Sequence, residues 1–345
     1  MSPKKLRYAP RDADWYLKQP EPLQRSSNLA LLTPGSSRDA RTRGADGSRY
    51  VDLYRETTPK EIEAWLRRTL SQGIDEFRDT IDPLKLVEIS GSNLSDPRND
   101  PVLQECCPGL GMPERRKARE VCIATPRTDI LMRPFAEVLD RTAELSPSAH
   151  AYRRGHRNAV HEILMEIQRL VRGGGPWFFA VIDIKNFFPS MYRKWLRNAL
   201  KAQGYTPGFI ERVMALVEAP VVDAEGRPVE RDQGCPPGLR ISGILANIYC
   251  AALDAMVKES FGSRVRYYRY CDDIIILSQK QHEVAGAVRA IATWLRERGH
   301  RIKGHGPNFA PDYLAHDLAK RPLDVLGARI TAPGAIAMVP KKVEA

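Results

Sequence analysis

The sequence predicts an α+β fold in which an antiparallel sheet packs on amphipathic helices, and three observations predict it. WFFAVID at 177–183 is a short, continuously apolar run of strand type that ends on a carboxylate. VRYYRY at 265–270 and IIIL at 274–277 are two β-rich runs around an acidic turn, the pattern of a hairpin. Between and around them recur segments with apolar residues at i, i+3, i+4 and i+7, such as Val160, Ile163, Leu164, Ile167, Leu170 and Val171, closed by three glycines from Gly173.

The elements follow in order. Residues 1–55 are poor in periodic apolar positions and rich in Arg, Pro, Ser and Gly, which predicts a basic, extended, partly disordered arm. Thr58, Pro59 and Glu61 supply a cap, a first-turn proline and a capping-box partner, and Ile62, Trp65, Leu66 and Leu70 form one face of the helix they open. The stretch 74–118 reads as irregular, with a Pro/Gly-rich loop around CCPGLGMPERRKAR carrying the four basic residues Arg115, Arg116, Lys117 and Arg119. A strand at 120–124 and a helix at 128–144 follow, the latter with Leu131, Phe135, Val138 and Leu139 on one face. Further helices run through Trp195 to Leu200, over 242–258, and through Val284, Val288, Ile291 and Leu295 to a stop at Gly299. Two short strands are expected around LGARIT and IAMVP.

With 345 residues and 43% hydrophobic content the chain can bury a sizeable core. Its longest apolar runs fall far short of a membrane span, and its first residues lack the apolar stretch of a signal peptide, so a cytoplasmic protein with no membrane partner is expected. Six scattered cysteines without a C-x-x-C pair argue against a disulfide framework or a zinc site. Lys and Arg outnumber Asp and Glu by 53 to 42, a formal charge of +11, which favours a polyanionic partner.

The chemistry lies in the placement of carboxylates. Asp183 ends an apolar strand, and Asp272 and Asp273 sit in the turn between two others, so all three reach the rim of a sheet that otherwise buries its side chains. Each alone is ordinary: paired aspartates are common in hairpin turns, and strand-end aspartates cap loops. Together they would repel unless cations neutralise them, and a pair of divalent ions does so while serving an in-line displacement at phosphorus.

YCDD at 270–273, flanked by RYYR and IIIL, resembles the Y-x-D-D signature of reverse transcriptases, and VIDIKNFFPSM at 181–191 resembles their preceding acidic segment. QGCPPGLRISGILANIYCAALD at 233–254 is similar to the loop and helix that pack against the incoming nucleotide. LGARIT resembles the primer-grip strand, and REVCIATPRTD and AYRRGHRNAVHEI resemble the finger segments. The resemblance spans roughly 115–340 and implies a right-hand polymerase with fingers at 56–175 and palm at 176–345, of which 205–235 returns to the fingers. The chain ends soon after the primer grip, so the thumb is expected to be short or absent and replaced by a bound RNA, a protein partner or self-association.

Carried over by position, the resemblance makes Asp183, Asp272 and Asp273 catalytic and gives them, with the carbonyl of Ile184, to two Mg2+ ions, or Mn2+ in their place. Lys117 and Arg119 would grip the triphosphate, and Lys303 would protonate pyrophosphate. Phe188 takes the sugar-gate position, where a ring excludes a 2′-hydroxyl. Pro237, Gly238 and Asn247 would line the substrate, and Leu326 and Gly327 the primer grip. Two departures stand out: the family's P-Q-G reads Pro236, Pro237, Gly238, which removes an amide, and its Ser-Pro reads Ser242, Gly243. The long link from AYRRGH to the acidic strand resembles bacterial group II intron and defence-associated members of the family. The expected function is an RNA-directed DNA polymerase acting on dNTPs to make DNA from an RNA template or a dedicated noncoding RNA, in bacterial antiphage defence. The alternatives are a template-independent nucleotidyltransferase and a non-catalytic, maturase-like RNA-binding scaffold.

Overall fold

A strand that is buried on both faces needs apolar residues at every position, not at alternate ones. That requirement shapes the centre of this protein. In the computed structural model, which describes residues 9, 12–28, 44–49, 53, 55–89, 119–153, 159–305, 310 and 314–338, the apolar runs form β3 (Phe178–Asp183), β5 (Arg266–Tyr270) and β6 (Asp273–Ser278). With β7 (His316–Asp317) they make a sheet of order β5-β6-β3-β7, antiparallel at each pairing. Ala180, Ile182, Ile274 and Ile276 point to one face, where α10 (Ser242–Phe261) and α11 (Gln281–Glu297) cover them. Phe179, Tyr268, Ile275 and Leu277 point to the other, against α6 (Ala159–Arg172). Beneath the same face lies a second sheet, order β10-β9-β8, made of β8 (Leu323–Val325), β9 (Ala328–Thr331) and β10 (Ala335–Met338). Each fully buried aliphatic side chain here stabilises the fold by roughly 1.5–3 kcal/mol.

Helix α10 is apolar around most of its circumference, as expected for a helix packed on several sides, and it buries even Asn247 and Asp254. Elsewhere hydroxyl caps set the boundaries. In α3 (Pro59–Ser71) the Glu61 amide donates to Thr58 Oγ1 at 3.3 Å and the Thr58 amide to Glu61 Oε2 at 2.8 Å, the reciprocal capping box. α5 (Pro126–Thr142) starts two residues earlier than its apolar spacing suggests, because Thr125 caps it and Pro126 fills its first position.

The segment expected to be irregular contains α4 (Ile74–Asp79) and β1 (Leu84–Ile89). β1 pairs antiparallel with β2 (Arg119–Ile123) and parallel with the two-residue β4 (Val221–Val222), so chain from well beyond β3 closes the same sheet. Between β3 and β4 lie α7 (Phe187–Ser190), α8 (Arg193–Ala202) and α9 (Pro207–Val217). Among the described residues no helix is long and apolar enough to cross a membrane.

The expectation of a disordered arm is corrected over 12–28. α1 (Ala13–Leu17) and α2 (Pro20–Asn28) fold there and pack on α3 and α5. Tyr16, Leu17 and Leu23 are buried, Arg25 pairs with Glu137 at 2.9 Å, and Arg141 lies 5.3 Å over the Tyr16 ring. A few large anchors suffice because such short helices draw their stability from tertiary packing. Leu23→Ala should therefore lower unfolding free energy by about 2–5 kcal/mol in urea titrations, whereas an unpacked arm would leave the midpoint unchanged.

Candidate active site

The register of β3 against β6 sets Asp183 directly opposite Asp273, and the Ile184 amide donates to the Asp272 carbonyl at 3.3 Å. Three carboxylates thus share the end of the sheet where its apolar faces run out. Asp272 sits in a two-residue turn, Cys271–Asp272, closed by the Tyr270–Asp273 pair. Cys271 has φ +61, so the first central residue of this hairpin is left-handed, the placement that a type II′ turn reserves for glycine. A non-glycine residue held there stores roughly 1–3 kcal/mol and persists only where its surroundings over-determine it.

The surroundings do so. Arg269, fully buried, makes a two-pronged contact with Asp254 of α10, Nε to Oδ1 at 2.8 Å and Nη2 to Oδ2 at 2.7 Å. Its Nη1 donates to Asn247 Oδ1 at 3.1 Å and to the Cys271 carbonyl at 3.2 Å, which pins the turn itself. Burial opposes the guanidinium's charge, but the Asp254 carboxylate more than offsets it. The Cys271 thiol is pushed well up by burial and by the neighbouring Asp272 carboxylate, to which it donates, so it stays protonated. One further strand-like contact flanks the hairpin: Arg269 donates to the Ser148 carbonyl and His150 to the Arg269 carbonyl, both at 2.8 Å.

Around Asp183, the Lys303 amide donates to its carbonyl at 2.8 Å and the Lys303 ammonium rests on its Oδ2. Ile184 forms an antiparallel bridge with Ile302. Among the described residues no group of three His, Cys, Asp or Glu side chains stands preassembled for a metal. The donors are nevertheless hard carboxylate oxygens at one sheet end, and a cation already sits on one of them, which fits a divalent ion with a preference for oxygen ligands.

Residues 115–329 match the family described as Reverse transcriptase (RNA-dependent DNA polymerase). The chain belongs to the reverse transcriptase family. Members of that family are RNA-directed DNA polymerases and use divalent metal ions. A curated relative, the "Putative COX1/OXI3 intron 1 protein" of Saccharomyces cerevisiae, is 26% identical over 141 residues, 41% of this chain. The match spans only 17% of that protein's length. A solved telomerase from Candida albicans, in complex with a TWJ fragment of telomeric RNA, superposes with a TM-score of 0.53 at 12% identity. It covers 81% of this chain and 49% of its own, and shows the polymerase fold of mixed helices and antiparallel sheets.

The other positions expected in this reverse transcriptase's site fall in several places. Phe188 lies half-buried on α7, its ring 5.5 Å from that of Phe187. The loop before α10 reaches back to it, with the Cys235 amide donating to the Phe188 carbonyl at 2.9 Å. Pro237 offers its carbonyl to the Cys122 amide of β2 at 2.7 Å, and Gly238, at φ +93, lies so close to Cys122 that a Cβ would come within 2.9 Å of its carbonyl oxygen. Asn247 was expected to face substrate. Instead it is buried, its amide donating to the Ala151 carbonyl at 2.7 Å and its oxygen taken by Arg269, so it braces the hairpin from within. Leu326 and Gly327, with φ +50 and +80, are the turn between β8 and β9, in the sheet packed beneath β5-β6-β3-β7. Lys117 lies outside the described residues, and of Arg119 only the backbone, opening β2, is described.

His300 carried no signal in the sequence beyond that of a core or surface histidine. It is buried with Nδ1 2.9 Å from Ser190 Oγ and Nε2 2.7 Å from the Tyr249 hydroxyl, linking α7, α10 and the turn that leads to Lys303. Burial, aided by Arg298, pushes its pKa down from 6.5 to about 4. The unfolded chain therefore binds an extra proton in that interval, and stability rises with pH across it. About 3 kcal/mol is fully present above pH 6.5, declines as the pH falls and is gone below about pH 4. Urea titrations at pH 7 and 4.5 should show this loss in the wild type and a much smaller one in His300→Gln.

Proposed function

We propose that this chain copies an RNA template into DNA, adding dNTPs to a primer end held at Asp183, Asp272 and Asp273 with two Mg2+ ions. The observation that carries this reading is the Asp183–Asp273 register beside the Asp272 turn, which collects the charge that an in-line displacement at phosphorus requires. The ions, when bound, would activate the primer 3′-hydroxyl and steady the leaving pyrophosphate.

The chain's own groups supply the rest. The three carboxylates, with the Ile184 carbonyl, hold the charge at the sheet end. The Arg269–Asp254 pair keeps the turn from relaxing. Lys303, poised on Asp183, presents a proton donor to the leaving side once that contact opens. Phe188 places a ring where the sugar would sit, which disfavours a 2′-hydroxyl. Lys117 and Arg119 are the proposed triphosphate grip. Service in bacterial antiphage defence with a dedicated noncoding RNA is the finer form of this proposal, resting on the family resemblance. Untemplated tailing is the second reading, favoured by Pro237: a proline in the family's P-Q-G loop has no amide to offer the nucleotide, and its carbonyl is taken by β2.

Primer extension on an RNA template with Mg2+ tests the proposal. Labelled DNA should form with the wild type and be lost, by at least about 10³-fold, in Asp272→Ala. Product whose sequence ignores the template would favour tailing, and equal activity in the variant would remove the carboxylates from the chemistry. Phe188→Ala should raise the ratio of ribonucleotide to deoxynucleotide incorporation by about tenfold or more in single-nucleotide kinetics.

A further inference from the structure

We propose that Tyr152 is the stacking platform for the nascent base pair at the catalytic hairpin. The proposal rests on the polymerase reading above and adds a substrate contact to it. Tyr152 is 54% exposed. Three other large apolar side chains are exposed among the described residues: Trp15 and Met165 lie on the outer helices α1 and α6, and Tyr192 precedes α8 with its ring against Gly299, whereas Tyr152 neighbours Tyr270, Cys271 and Asp272.

Its position is enforced from several directions. Tyr152 adopts φ +52, a left-handed backbone that L side chains rarely accept without compensation. The preceding residue is fixed by the Asn247 amide on the Ala151 carbonyl at 2.7 Å, and the following one by Arg153 Nη1 on the Ala149 carbonyl at 3.1 Å. The strand-like contact of 148–150 with Arg269 ties the same segment to β5. On one side the base of the ring meets the start of α10, where it occupies the space that any Cβ on Gly243 would need. At its tip the hydroxyl meets the Cys271 thiol.

A tyrosine that merely filled a core would be buried, and one that merely decorated a surface would not sit in a left-handed backbone between neighbours fixed on both sides. An aromatic face, fixed and left open beside carboxylates that act at a phosphate, matches the π-face of a nucleobase. Stacking of this kind accepts every base, as a copying enzyme requires.

The test uses the full chain with an RNA template and DNA primer. Tyr152→Ala should raise KM for dNTP roughly tenfold with kcat changed much less, Tyr152→Phe should stay near wild type, and Gly243→Ala, which displaces the ring, should move KM in the direction of Tyr152→Ala. Independently of turnover, wild-type protein in EDTA is irradiated with primer-templates carrying 5-iodouracil at the templating position or at the primer 3′ end. A crosslink in the peptide containing Tyr152 from either probe is expected. An unchanged KM in Tyr152→Ala, or crosslinks confined to other peptides, would overturn the platform. Absence of wild-type incorporation would count against the polymerase reading instead, and the crosslink would still decide whether Tyr152 meets a base.

Discussion

The pairing of β3 with β6 is the constraint on which the other features depend. Both strands are covered on two faces, so a slip of one residue would not expose an apolar side chain to water; it would move Asp183 away from Asp273 and swap which side chains meet α10 and which meet α6. The register is therefore held less by alternation than by the shapes of two different cores, and the carboxylates lie where those cores end.

The charges in the interior are paired with each other. Asp254 and Arg269 are both removed from water, and the pair is worth little as a source of stability; removing one member alone would leave a buried charge at a cost of about 3–5 kcal/mol. What the pair contributes is position. One guanidinium holds a helix, a strand and the carbonyl of a left-handed turn residue in fixed relation, so the turn bearing Asp272 is defined by the interior and not by solvent-exposed contacts.

Much of this was legible in the residues, for identifiable reasons. WFFAVID and IIIL read as strands because burial on both faces writes continuous apolar runs, and Thr58-Pro59-x-Glu61 read as a helix start because each residue answers a specific unsatisfied group. LKLVEI at 84–89 carries a weak strand signal, because it alternates only partly, is short and follows a proline. PGFIERVMALV forms a helix capped by Thr206, but its near-continuous apolar run carries little helical period, and α1 and α2 are hidden by a polar composition whose few anchors matter only once α5 is beside them. In the site, the three aspartates stand out by their placement at strand ends together with the resemblance that YCDD and VIDIKNFFPSM carry. The roles of Asn247, His300 and Tyr152 depend on which side of an element they face and on partners remote in sequence, which no local pattern records.

The hydrogen bond from Cys122 to Pro237 couples two parts of the molecule that sequence separates widely. Sheet β2-β1-β4 and the loop leading into α10 cannot shift independently while it lasts, and the same loop grips the Phe188 carbonyl through Cys235. A tilt of β2 would therefore draw on this loop and, through Cys235, on the backbone of α7 at Phe188, so the outer sheet and the short helix after β3 are joined by main-chain contacts.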